Sequence, residues 1–309
     1  MYDEAGPDAE NDPFDLRISI TYEGTKLNSE PLFLSLLNGL YRIAQRPYSG
    51  PLFHGVFRDT ERALVPGLDV NGPYVSQNYH AIWALEALAL QVRHDEGYSS
   101  LKFQAFDKSR QQRVFGQVYP QPESQPSQVK IKSPDANAGT INASEVPPLD
   151  LTGNSLVSST SLDGNQSPSK PPENALDLNS VNSTDAGYSS PIPRNFHTLP
   201  SSLPSGKLLP SNSALLVLIK ATAAVAGLIQ QNPPTASEYR DGGVVLQILR
   251  NVNIPGLQNG WLKQGFLDMA HELYDNGKYR DIQMILMVGD KQIGWITMYN
   301  NDGRNVTQF

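Results

Sequence analysis

The pattern of hydrophobic and polar positions along this chain predicts the same order of strands and helices twice. In residues 14–22 apolar and polar side chains alternate, which predicts a half-buried strand with one solvated face. In residues 33–44 the apolar positions recur at helical spacing, and Pro47 ends this helix. The rest of the first pattern is a strand within 62–71, a helix over 78–95 and a hairpin of 101–106 with 113–119.

The same order returns after residue 211, without a counterpart of the first strand. The predicted elements are a helix over 214–230, a strand over 244–249, a helix over 259–274 and a hairpin of 282–288 with 293–299. The first of these helices is apolar on nearly every face, which predicts that it is buried on nearly every side. Its apolar run is shorter than the about 20 residues that cross a membrane, and it contains Lys220. We therefore expect a core helix and no transmembrane segment.

A shift of 181 residues overlays the two patterns. Asn78 then falls on Asn259, and a gap at the hairpin turn brings Gly116 onto Gly294. The shared order predicts a duplication, although two unrelated α/β segments with a common order would look alike. We predict an α+β fold of two repeated β-α-β-α-β-β-like modules, which form a two-layer unit of helices on mostly antiparallel sheet.

The stretch between the two modules has a different composition. Residues 120–210 contain 14 of the 24 prolines and 17 serines, with Tyr188 and Phe196 as the only aromatic residues. Such a segment buries too little apolar surface to offset an ordering cost of about 1–2 kcal/mol per residue, so we predict a long disordered linker. The predicted organisation is an acidic disordered tail over 1–13, a first module over 14–119, the linker over 120–210, a second module over 211–300 and a C-terminal tail over 301–309.

The net charge of −7 lies outside the modules. Residues 1–12 contain five acidic side chains and no basic one, whereas residues 14–119 contain 11 basic and 10 acidic side chains. Residues 211–309 contain eight of each sign. Because no basic stripe is present to neutralise phosphates, we expect no binding of nucleic acid.

The chain contains no cysteine, which excludes disulfides and thiolate metal sites. Its first residues form neither a basic n-region nor an apolar h-region. An intracellular location is therefore the default expectation, and secretion would require an upstream exon.

We find no motif with recognisable catalytic chemistry. His271 and Glu272 begin like a zinc-protease motif, but Asp275 stands where the second histidine should be. A P-loop, a dinucleotide-binding glycine motif after a strand and a nucleophile elbow are all absent from the sequence. We accordingly assign no catalytic, cofactor-binding or metal-ligating residue, and we expect no cofactor.

Two sets of modification sites depend on the compartment. N-glycan acceptor triplets, relevant to a secreted protein, contain Asn142, Asn182 and Asn305. Serines followed by proline, which suit proline-directed kinases inside a cell, are Ser133, Ser167 and Ser190.

The hairpin of the second module has apolar residues on both faces. With Gly289-Asp290 as a two-residue loop, Leu286 faces Ile293 on the core side. The opposite side then carries Ile285, Met287, Ile296 and Met298, whereas the matching side in the first module carries Lys102, Gln104 and Phe106. Two interpretations are open: this face packs against the first module, or it is a candidate partner surface.

The first module contains a strand, a glycine turn, a helix over residues 32–44 and a helix–hairpin ending over residues 78–119. In these features the chain resembles a group of filamentous-fungal proteins without an assigned activity. The resemblance implies no catalytic residue. Our functional hypothesis is a non-catalytic interaction or structural protein with a protein partner or self-association. The alternative is an enzyme or small-ligand-binding protein with a pocket between the two modules.

Overall fold

The computed structural model describes residues 16–121, 192–203, 206–228, 230–234, 237–250 and 256–301. These residues form four α-helices and two five-stranded antiparallel sheets, as expected of an α+β fold. The predicted tails over 1–13 and 301–309 lie, except for Asn301, outside the described residues. So does most of the predicted linker, of which residues 122–191 separate the two modules along the chain.

The first module has seven elements. They are β1 (Arg17–Lys26), α1 (Ser29–Ala44), β2 (Gly55–Phe57), β3 (Gly67–Asn71), α2 (Asn78–Asp95), β4 (Ser99–Phe106) and β5 (Gln112–Tyr119). Their strands form the first sheet, in the order β1-β4-β5-β3-β2. All neighbouring strands in it are antiparallel.

The second module repeats this arrangement. Its elements are β6 (Phe196–Ser202), α3 (Ser211–Ala226), β7 (Ser237–Asp241), β8 (Val244–Arg250), α4 (Asn259–Asp275), β9 (Ile282–Val288) and β10 (Lys291–Asn300). Their strands form the second sheet, in the order β6-β9-β10-β8-β7. Each sheet therefore has its first strand at one edge, followed by its fourth, fifth, third and second strands. The predicted repetition of element order is confirmed and extends to the strand order.

The loops repeat as well. The backbone N–H of Asn78 donates to the carbonyl oxygen of Gly50 at 3.0 Å, and that of Asn259 donates to Asn232 at 2.9 Å. In both modules this bond ties the start of the second helix to the loop that follows the first. The equivalence of Asn78 and Asn259 is the one that the shift of 181 residues predicts.

One expectation about the second module is wrong. It has a first strand, β6, which lies inside the range assigned to the linker and pairs antiparallel with β9. Its sequence contains Pro200 and three serines or threonines around Leu199, so its pattern is not typical of a strand. Pairing with β9, rather than intrinsic strand propensity, accounts for its conformation.

The helices of the two modules pack against one another. Both α1 and α2 contact α3, and α1 also contacts α4, while each helix pair covers the inner face of its own sheet. Each module therefore has the predicted two layers, helices on a sheet, and the layers of both modules together run sheet, helices, helices, sheet. Apart from Ser211, Asn212, Lys220 and Ala224, every residue of α3 is buried, as its apolar pattern predicts. Among the described residues, no helix combines the length and the apolar character that crossing a membrane requires.

Gly116 on β5 pairs with Phe103, whose counterpart under the shift of 181 residues is Met284, but Gly294 on β10 pairs with Leu286. The predicted equivalence of the two glycines is therefore wrong, although each lies close to the backbone of a neighbouring strand. A Cβ atom at Gly116 would overlap the carbonyl oxygen of Asp69 on the neighbouring strand. A Cβ atom at Gly294 would lie 2.9 Å from the carbonyl oxygen of Leu249. Both positions therefore need glycine because the adjacent backbone approaches closely.

Candidate functional site

The β9–β10 hairpin contains a β-bulge that changes which residues face the core. Val288 pairs with Lys291 and Met287 with Gln292, but Leu286 pairs with Gly294. Ile293 is thus the extra residue of β10. Because neighbouring residues of a strand point to opposite faces, one inserted residue exchanges the two faces beyond it.

The bulge overturns half of the predicted partner surface. Ile296 and Met298 are fully buried on the core face, together with Met284. The predicted placement of these two residues on the outer face is wrong, since it assumed a hairpin without a bulge. Ile285 and Met287 lie on the outer face as predicted, where both are half-buried.

Four large apolar side chains form a continuous line across the outer face of the second sheet. Leu199 on β6 pairs with Ile285 on β9, Ile285 pairs with Trp295 on β10, and Trp295 pairs with Leu249 on β8. We call these four residues the apolar row. Leu199 is 45% exposed and the other three are half-buried. Side chains of directly paired residues lie about 5 Å apart at their Cβ atoms, so the row is contiguous.

The first sheet has a different surface at the same positions. Its matching line runs over β1, β4, β5 and β3 and consists of Ser19, Gln104, Phe115 and Asn71. Three of these four side chains are polar, and only Phe115 is apolar and exposed, at 40%. The two sheets therefore share topology and differ in the character of one outer face.

A polar line accompanies the apolar row on the second sheet. Its members are Ser201, Gln283, Thr297, Gln247 and Glu238, one from each strand. Gln283 Nε2 donates to Thr297 Oγ1 at 3.3 Å, and Gln247 Nε2 donates to Glu238 Oε2 at 3.2 Å. Glu238 also pairs with Arg240 of the same strand. The polar groups beside the apolar row are thus bonded among themselves.

Sequence reasoning found Ile285 and missed the other three members of the row. A two-residue hairpin without the bulge pairs Met284 with Trp295 and so places Trp295 on the core face. Leu199 lies in the range assigned to the linker, and Leu249 was not assigned to a face. The alternation along β10 could have indicated the correct face of Trp295. Ile296 and Met298 are aliphatic and alternate with Trp295, Thr297 and Tyr299, which carry aromatic or polar groups.

The structure gives no position for the predicted modification sites. Asn142, Asn182, Asn305, Ser133, Ser167 and Ser190 all lie outside the described residues.

Polar contacts at the module boundary bear on the alternative of a pocket between the modules. Arg62, from the loop before β3, binds both carboxylate oxygens of Asp275 on α4, at 2.7 and 2.5 Å. Arg62 also forms an ion pair with Asp59 at 3.2 Å. The carboxylate of Asp59 in turn accepts a hydrogen bond from Asn38 of α1. Nε2 of His271 lies 3.2 Å from Asn38 Oδ1. These side chains bond to one another across the boundary, which is typical of a structural contact.

The charges of this cluster shift two pKa values. The hydrogen bond from Arg62 lowers the pKa of Asp275. Burial, together with the positive charge of Arg62, lowers the pKa of His271. Both shifts favour a neutral imidazole beside an ionised carboxylate at neutral pH. Among the described residues, no three His, Asp or Glu side chains are grouped so as to hold a metal ion.

Lys263 is a second boundary contact and the most deeply buried charged residue of α4. It is 2% exposed, and its ammonium donates to the carbonyl oxygen of Ala44 at the end of α1. Burial lowers the pKa of Lys263 from its ordinary 10.5 to about 8. A cation at a helix C-terminus is favourable, whereas its removal from water is costly.

We predict that the protein becomes more stable between pH 8 and pH 10 because of Lys263. In this window the unfolded chain keeps the lysine proton that the folded chain has lost, so the free energy of unfolding rises with pH. From pH 7 to pH 9.5 the contribution of Lys263 alone to the free energy of unfolding rises by about 2 kcal/mol. Above pH 10 the trend reverses, because burial raises the pKa of Tyr41 to about 12 and also raises that of Tyr279.

Urea unfolding at pH 7 and pH 9.5 measures this gain. Lys263→Met should abolish the rise, since it removes the buried amine and keeps the apolar stem. Lys102→Met is the matched control, because the side chain of Lys102 is 60% exposed. A rise that persists in Lys263→Met would contradict the assignment.

No family model matches the chain, and neither the curated proteins nor the solved structures include a significant match to it.

Proposed function

We propose that this chain is a non-catalytic interaction protein and that the outer face of its second sheet binds a protein partner. The observation that supports this proposal is the apolar row, Leu199–Ile285–Trp295–Leu249, at positions that are mostly polar in the first module. The two modules provide an internal comparison, because their topology and strand order are the same.

The outer face of the second sheet differs in composition from an ordinary solvated sheet face. An antiparallel sheet that packs on one side normally has apolar residues toward the core and polar residues toward water. The first sheet follows this rule with Ser19, Gln104 and Asn71. Single exposed apolar residues are common on protein surfaces, but a line of four across adjacent strands is a contiguous patch. Such patches are typical of surfaces that a partner covers.

The packing of the two modules against each other explains why the outer face of the second sheet is not covered by other parts of the described chain. The inner face of each sheet is covered by helices, and the helices of the two modules cover each other. The outer face of the second sheet is therefore not used in packing the modules together. Of the two interpretations of the hairpin, the partner surface is the one that this arrangement supports.

Site-specific photo-crosslinking tests the proposal. A photoreactive amino acid at position 285 should cross-link to a protein when the full chain is expressed in its own cells, because Ile285 lies in the middle of the row. The same amino acid at position 104 is the matched control, since Gln104 occupies the equivalent place on the first sheet. Equal yields at the two positions, or no product at position 285, would contradict the proposal.

A further inference from the structure

We propose that the protein bound by the apolar row is a second copy of this chain, docked second sheet against second sheet. This inference rests on the proposed function and names its partner. Three properties of the face support it: the arrangement of the row, the balance of charge around it and the composition of the neighbouring edge strand.

The apolar row is complementary to a copy of itself. Two sheets that pack face to face lie about 10 Å apart with strands about 30° from parallel. A two-fold axis that lies between two such sheets and runs along their strands reverses the order of the row. Leu199 then lies opposite Leu249 of the second copy, and Ile285 lies opposite its Trp295. Two leucines of equal size meet at each end of the row, and the larger Trp295 of each copy packs on Ile285 of the other, as in an isologous interface.

The charges near the row neither repel a copy nor select another partner. On the neighbouring rows of the outer face the charged residues of β7 are Glu238 and Arg240, which pair with each other. The rest of the polar line is uncharged, with Ser201, Gln283, Thr297 and Gln247. A partner of strongly positive or negative character would gain no complementary potential here, and two copies bring no like charges together.

The edge of the sheet is poorly suited to the other common route of association. A partner strand could add to the free edge of β6, but Pro200 in the middle of that strand has no N–H to donate. A proline in an edge strand is a common protection against such pairing. Leu199, adjacent to it, points its side chain to the outer face with the rest of the row. We therefore expect a second copy to dock on the outer face of the second sheet and not on the edge of β6.

Sedimentation velocity of the full chain, from micromolar to hundreds of micromolar concentration, tests this inference. The wild-type protein should reach twice its monomer mass of 33.9 kDa as the concentration rises. Ile285→Lys should remain a monomer over the same range, because it places a charge at the centre of the interface. Gln104→Lys, the equivalent substitution on the first sheet, should dimerise like the wild type. Leu199→Asp is a second variant at an exposed position, in case Ile285→Lys folds poorly.

The outcomes separate this inference from the proposed function. A wild-type chain that stays monomeric, or a dimer that persists in both Ile285→Lys and Leu199→Asp, would overturn the second copy as partner. If position 285 then cross-links to a different protein, the proposed function stands with another partner. If it cross-links to none, the proposed function fails as well.

Discussion

Ile296→Lys is expected to lower the free energy of unfolding by about 3–5 kcal/mol or to prevent folding, whereas Ile285→Lys should cost less than about 1 kcal/mol. Ile296 has no exposed surface and packs beside Gly265 of α4, where an added Cβ would lie 2.7 Å from the Ile296 Cδ1 atom. A lysine there would be a buried charge without a partner. At position 285 the same lysine can extend into water from the outer face.

Urea unfolding of both variants, followed by circular dichroism at a concentration low enough to exclude association, makes the comparison. It tests the bulge at Ile293 directly, because a hairpin without the bulge would place Ile285 and Ile296 on the same face. Similar losses of stability in the two variants would contradict the register, and the apolar row would lose Trp295.

The order of elements could be predicted from the sequence because each helix and most strands have a strong periodicity of their own. The all-round apolar character of α3 indicated a helix buried on every side, and the structure places it against α1, α2 and α4. The equivalence of Asn78 and Asn259 was visible as matching letters, and both residues make the same backbone contact. These features are local in sequence, so a local pattern is sufficient to find them.

The features that were missed depend on contacts between distant residues. The strand β6 has a serine-rich sequence with Pro200, and only its pairing with β9 makes it a strand. The bulge at Ile293 cannot be recognised from the composition of β10, yet it exchanges the faces on which all later residues of the strand lie. The apolar row combines residues from four strands, β6, β8, β9 and β10, which lie between Phe196 and Asn300 along the chain. Its existence could not follow from any one segment.

The outer sheet faces are the docking surfaces only if the two modules are one structural unit. The helices of each module cover those of the other, and this leaves the outer sheet faces as the surfaces that meet solvent or a partner. If the modules were independent, the helices would be the exposed apolar surfaces, and the apolar row would not be the main candidate for docking.

Cleavage of the connection between the modules measures this most directly. A recognition sequence for a site-specific protease, inserted between Thr160 and Ser161, allows the chain to be cut between the modules after it has folded. We predict that the two fragments co-elute on size exclusion at the position of the uncut protein and unfold in one thermal transition. This result is expected because the contacts of α3 and α4 with the first module, including Lys263 with Ala44 and Asp275 with Arg62, are non-covalent and remain after the cut. Separation into two folded, soluble fragments with independent transitions would contradict the account.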